Sequence, residues 1–269
     1  MMSSSPVENG IFPLSIAGLC VMLASDHTGL MEQIRRRYQL FSHVGKNPHR
    51  LNLRIISDYT GSSEEQINIT ARGLTVIHQT YEGRINFEQN TSEILLNGEH
   101  PLADVEYFLR LVYSFTGFKA GGFLVHAAGV VRKGSSYLFI GPSGSGKSTV
   151  ANFSAQYRVL NDDLVMVLPD QGHWIIFSTP FWNEGKGVKA RPSSAPLAGM
   201  YRLVKDKVNY LEPLTTGETL AELIACVPIL SRSPLFSIDL FERCLALIQQ
   251  IPVYRLHFLP DSSFWEVIC

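Results

Sequence analysis

From Ile11 to about residue 98 the chain alternates short apolar runs with turn-forming residues. Leu51–Ile56, Gln66–Thr70, Leu74–Gln79, Arg84–Glu88 and Ile94–Leu96 set apolar side chains at every second position or in short clusters, the spacing of strands. Gly61-Ser-Ser, Arg72-Gly, Glu82-Gly and Asn97-Gly punctuate them with turn chemistry. Met31–Tyr38 reads as a helix within this β-rich stretch, and its Arg35-Arg36-Arg37 cluster as a solvated face. Leu102, Val105, Phe108, Leu109, Val112 and Phe115 then recur at helical spacing behind Pro101, which a first turn tolerates. This predicts a helix from Pro101 to about Gly117. It joins a β-rich N-terminal region, residues 1–118, to a second domain, residues 119–269.

The second domain alternates strand and helix patterns. Strands are expected at Phe123–Arg132 and Tyr137–Ile140 around the turn Lys133-Gly-Ser-Ser136, and a helix at Lys147–Ala155. Strands Arg158–Leu168 and His173–Phe177 follow as a hairpin through Pro169-Asp-Gln-Gly. Thr179–Pro196 is a Gly/Lys/Pro-rich loop. Helices are expected near Leu197–Val204, Thr219–Ile229 and Pro234–Gln250, with a last strand at Val253–Leu259. The fold class is α/β with α+β character, and no internal repeat supports a solenoid.

Between the second of these strands and the first helix lies Gly141-Pro-Ser-Gly-Ser-Gly-Lys-Ser148, which matches G-x-x-x-x-G-K-[ST]. The chemistry accounts for the residue types. Gly141, Gly144 and Gly146, with Pro142, Ser143 and Ser145 between them, let backbone N–H groups wrap a phosphate. Lys147 reaches the β/γ oxygens, the Ser148 hydroxyl is placed for Mg²⁺, and Thr149 continues the helix whose N-terminus favours an anion. The flanking strand and helix are the context the motif requires, so the chain is expected to bind a nucleoside triphosphate.

Composition narrows the partners. A net charge of −1 gives no argument for nucleic acid or an anionic membrane. With 45% hydrophobic and 17% charged residues, a sizeable core is easily built. Cys20, Cys226, Cys244 and Cys269 show no metal-binding or paired spacing and read as reduced thiols, the first three as core packing. Ile11–Ala24 is apolar, but no Lys or Arg precedes it and it contains Pro13 and Ser15. It is expected to be a buried strand rather than a signal sequence, in a soluble cytoplasmic protein without a membrane segment.

Two further features stand near the phosphate motif in sequence. Asp162-Asp163 interrupts an apolar run, Val159-Leu-Asn-Asp-Asp-Leu-Val-Met-Val167, and buried carboxylates need a partner such as a cation. Successive strand residues point to opposite faces, so both acids serve one site only where a bulge or break re-aims one of them. Such an irregularity is expected at residues 161–163. His126 lies in the strand that pairs with the one entering the loop, which would bring it near Lys147 and the acids.

Leu124-Val-His-Ala-Ala-Gly-Val130, a short turn, the phosphate loop and the paired acids together resemble the catalytic domain of HPr kinase/phosphorylase. The likeness is closest to its relatives encoded beside modified-peptide pathways, including kinases of lasso-peptide precursors. It covers about residues 120–169 and continues loosely through Thr179-Pro-Phe-Trp182 and Ala195-Pro-Leu197. The resemblance implies a P-loop core shared with phosphoenolpyruvate carboxykinase and use of ATP and Mg²⁺. It also implies Asp162 as base for an acceptor hydroxyl, Asp163 as a Mg²⁺ partner beside Ser148, and His126 as the group that orients the acids. The Glu-Ile-Arg-Gly-like segment of true HPr kinases is missing. HPr and the reverse phosphorolysis are therefore not implied.

In its place stand Glu184, Lys186, Lys189 and Arg191; Lys189 or Arg191 could neutralise a transferred phosphoryl group, against the default of solvated loop charges. The expected function is an ATP-dependent serine kinase acting on a peptide or small protein, in a family that includes oligomers. A kinase of a small molecule, such as an amino acid or sugar, and a nucleotide-binding module without chemistry stay open. The chain has no Leu-Ser-Gly-Gly-Gln-like segment, which argues against a transport ATPase.

Overall fold

A computed structural model describes residues 10–45, 48–56, 59–182 and 190–268. The fold is mixed α/β, with two sheets and few helices. The chain divides into two compact units, Met1–Val112 and Tyr113–Cys269. No described helix is long and apolar enough to cross a membrane.

The first unit contains β1 (Ile11–Ile16), β2 (Leu19–Ala24), α1 (Thr28–Tyr38), β3 (His49–Ile55), β4 (Gln66–Thr70), β5 (Gly73–Ile77), β6 (Tyr81–Asn86) and β7 (Thr91–Leu96). Helix α2 (Pro101–Lys119) begins in this unit and ends in the second. The seven strands form one sheet in the order β1-β2-β3-β7-β6-β5-β4. Leu51, Leu53, Leu74, Val76, Ile85 and Ile94 are buried on one face, as strand alternation requires. The Ile11–Ala24 run is two strands rather than one, because Ala17 and Gly18 take positive φ and turn the chain back.

Gly83 also departs from its expected place in a turn. It lies inside β6, where an added Cβ would sit 2.2 Å from Phe108 Cε2. The glycine is there so that the α2 ring can pack on the sheet. Arg37 is no solvated charge either; its guanidinium pairs with Glu106 at 2.9 Å, leaving Arg36 as the exposed member of the cluster.

The second unit continues with β8 (Phe123–Arg132), β9 (Ser135–Ile140), α3 (Lys147–Asn152), β10 (Arg158–Asn161), β11 (Leu164–Asp170), β12 (His173–Phe177), β13 (Ser194–Lys205), β14 (Tyr210–Pro213), α4 (Thr216–Ala225), α5 (Ser237–Ile248) and β15 (Val253–Phe258). The β8–β9 hairpin closes on Lys133-Gly134, both at positive φ, the backbone that matches strand twist in a two-residue turn. β9, β13 and β15 run parallel. β8, β11, β12, β13 and β9 pair in a path that returns to β8.

Residues 197–204 are strand, not the expected helix. Leu197, Met200, Tyr201 and Val204 fall at helical spacing, yet β13 pairs with β9 on one side and β15 on the other. The buried positions of β13 do alternate (Ala195, Leu197, Gly199, Tyr201 and Leu203), but the small residues among them, with Met200 and Val204 on the other face, hide the period of two. Strand β14 carries no strong sequence signal and was likewise not expected. Phe139, Tyr201, Leu203, Phe258, Phe264 and Trp265 form an aromatic-rich core beneath α3. Trp265 Nε1 donates to Ser154 Oγ at 2.9 Å, which satisfies the indole where it is buried.

Candidate active site

The loop Gly141–Gly146 leaves the carboxyl end of β9, a strand parallel to β13, and leads directly into α3. Gly141, Gly144 and Gly146 have φ of +147°, +79° and +109°, a region that side chains with a Cβ rarely enter. One is also sterically required: a Cβ on Gly146 would lie 2.6 Å from Phe258 Cζ. The core thus presses the loop into shape from below. Ser148 stands exposed on the first turn of α3.

Lys147 is buried, and its Nζ donates to the carbonyl oxygens of Gly141 (2.8 Å) and Pro142 (3.1 Å). Burial lowers its pKa below the usual lysine value, while the nearby Cys226 thiol and Asp163 carboxylate push it back up. Cys226 follows α4, and its sulfur faces the Gly141 N–H and the Lys147 ammonium. Burial raises that thiol's pKa against both. The Cys226 carbonyl accepts the His126 N–H at 2.7 Å, so one residue braces both the loop and β8. Sequence alone read Cys226 as core packing, and it is buried and free, but no local pattern could place it against the loop.

The acids lie where the strand breaks. β10 and β11 run antiparallel along β8, with a register shift between Val159 and Asn161, and Asp162-Asp163 fall between the two strands. This is the expected irregularity. Both carboxylates are buried. Asp163 Oδ1 lies 3.4 Å from His126 Nδ1, and the Asp163 carbonyl accepts from Ala127 N–H at 3.0 Å. Asp162 Oδ1 and Ser145 Oγ are buried without a hydrogen-bond partner among the described residues. An unpaired buried acceptor is costly, so these oxygens mark a place for an absent donor or cation.

Asn161, completely buried, organises the break; its only local signal is an Asn before two acids in an apolar run. Its Oδ1 accepts from Asp163 N–H (2.7 Å) and Leu164 N–H (3.2 Å). Its Nδ2 donates to Thr179 and Phe181.

His126, Lys147, Cys226 and Asp163 are therefore connected around one site, with Asp162 beside Asp163 in the break. The hard oxygens, the ammonium and the glycine-shaped amide loop fit a phosphate with a divalent cation. Arg191 is described and exposed, its carbonyl held by Ser178 Oγ at 2.7 Å. Glu184, Lys186, Lys189 and Cys269 lie outside the described residues.

A family model described as "ScmC: SynChlorMet cassette protein ScmC" matches residues 97–269. No curated protein matches the chain. Among solved structures, the Hpr(Ser) kinase/phosphatase from Coxiella burnetii is similar at 14% identity and a TM-score of 0.26. That alignment spans 34% of this chain and 77% of the other, and at that score it carries no argument about either.

Proposed function

The chain belongs to the ScmC family of SynChlorMet cassette proteins, and on that premise we propose that it is an ATP-dependent kinase of a peptide or small-protein hydroxyl, with a serine of a precursor peptide as acceptor. The observation that carries the reading is the partnerless Asp162 Oδ1, buried beside Asp163 in a strand break, with Asp163 itself close to Lys147 of the phosphate loop.

The roles follow from the chemistry of each group. Gly141–Thr149 present backbone N–H groups and the helix N-terminus to the phosphates of ATP. Lys147 offsets charge on the β/γ oxygens. Mg²⁺, held by Ser148 and Asp163, supplies charge neutralisation on the phosphates when bound. Asp162 accepts the proton of the acceptor hydroxyl as its oxygen bonds to the γ-phosphorus. The bond from that phosphorus to the β–γ bridging oxygen breaks, and ADP leaves with the electron pair. His126 positions Asp163 through its Nδ1. Most of the rate comes from alignment and electrostatics, so the fixed loop matters as much as the base.

The test is transfer of ³²P from γ-labelled ATP to candidate precursor peptides, with free amino acids and sugars run alongside. A labelled peptide serine, lost in Asp162→Asn, supports the proposal. Labelling of a free small molecule instead would move the acceptor class. Nucleotide binding without transfer to any acceptor would leave a binding module and end the kinase reading.

A further inference from the structure

The hydrogen bonds around Asn161 tie the acid pair to a second segment. Asn161 Nδ2 reaches the Thr179 carbonyl oxygen at 2.9 Å, Thr179 Oγ1 at 3.3 Å and the Phe181 carbonyl oxygen at 3.2 Å. Thr179 Oγ1 in turn donates to the Leu164 carbonyl oxygen at 2.6 Å and accepts from Phe181 N–H at 3.3 Å. Both side chains are fully buried. Leu164 immediately follows Asp163, so the two side chains hold the backbone on the carboxyl side of the acids from two directions.

Such a network is more than a way to satisfy polar groups. In a regular strand the Asp163 N–H would join the β8 ladder opposite Ala127, whose own N–H bonds the Asp163 carbonyl oxygen. Asn161 instead captures that N–H locally, in the turn-like manner of asparagine, and with it the Leu164 N–H, which faces away from β8. The break is then kept in one geometry by Thr179, a residue sixteen positions beyond Asp163 in sequence. A fully satisfied buried network of this sort specifies one arrangement and penalises every alternative.

We propose that Asn161 and Thr179 are positioning residues: their mutual hydrogen bonds fix the backbone at 162–164 so that the Asp163 carboxylate is aimed at a divalent cation carried by a nucleoside triphosphate. The proposal rests on the reading of the site given above, but concerns metal linkage rather than transfer. Neither residue touches the reacting atoms.

The experiment is calorimetric titration of ATP, in the presence of Mg²⁺ and in EDTA, into the full chain carrying Thr179→Val, Thr179→Ser or Asn161→Asp. Valine keeps the volume of threonine and removes the hydroxyl; serine keeps the hydroxyl. Thr179→Val and Asn161→Asp are expected to bind metal-free ATP within about twofold of the unsubstituted protein, since the phosphate loop is untouched. The tightening by Mg²⁺ should shrink at least fivefold in both, and Thr179→Ser should restore it. Mg²⁺ tightening unchanged in a folded Thr179→Val protein would overturn the proposal. So would equal weakening of both titrations with no recovery in serine, the signature of lost folded protein alone. If the unsubstituted protein shows Mg²⁺ linkage yet transfers phosphate to nothing, the kinase reading fails while the positioning role stands.

Discussion

The two sheets treat polar residues in opposite ways. In the first unit, Asn52, Glu93, Arg84, Thr75 and Asn68 lie in register across five neighbouring strands on the face opposite the buried leucines. Their charges are met at the surface, Arg84 by Glu82 and Glu93 by Arg54, and water does the rest. In the second unit, β8 and β11 are buried along most of their length, and buried polar side chains gather at Asn161-Asp162-Asp163, where β10 ends and the chain breaks before β11. A polar row facing solvent follows from alternation and needs no chemical reason. A buried polar triplet at a strand break opposes the hydrophobic effect and has to be justified by a partner.

Substitutions should separate the two cases, from large effects to negligible ones. Asp162→Asn should lower phosphoryl transfer about 10²–10⁴-fold, the range for a lost general base, while leaving the ATP dissociation constant nearly unchanged. Single-turnover transfer and calorimetry read the two quantities separately. Gly146→Ala puts a methyl into Phe258 and a side chain at φ +109°. Strain and overpacking together should cost about 2–5 kcal/mol, read as a drop in the urea midpoint together with weaker ATP binding. Gly83→Ala meets the Phe108 ring in the first unit and should destabilise by about 1–3 kcal/mol, with ATP affinity intact.

A smaller effect comes from Lys147, whose pKa burial lowers. Between that lowered value and the ordinary lysine value, the unfolded chain binds more protons than the folded one. Lys147 itself therefore adds stability as pH rises across that window, while the buried thiols Cys226 and Cys244, with raised pKa values, act in the opposite sense. Urea melts at stepped alkaline pH should show the lysine's share as a difference in slope between the unsubstituted protein and Lys147→Met. Smallest of all, Arg84→Ala on the solvent face should change stability by no more than about 0.5 kcal/mol.

The contrast also explains what could be read from the chain beforehand. The phosphate loop is legible because its glycines, lysine and serine must be adjacent in sequence. The strand break is legible because two successive acids in an apolar run cannot both serve one face of a regular strand. β13 was not legible: Ala195 and Gly199 weaken the period of two, and Met200 and Val204 on the other face leave leucine, methionine, tyrosine and valine at a helical spacing. Gly83 looked like a turn because its reason, the Phe108 ring, comes from distant sequence. Thr179 and Cys226 meet the site only through folding; the likeness at Thr179-Pro-Phe-Trp182 marks that segment but not its bond to Asn161.

The central claim is that the acid pair in the strand break works together with the nucleotide loop. Its most direct test is titration of ATP with and without Mg²⁺ into the unsubstituted protein and Asp163→Asn. Mg²⁺ should tighten binding about tenfold or more in the first and hardly at all in the second, with metal-free affinity alike in both. Equal Mg²⁺ tightening in the two proteins would contradict it.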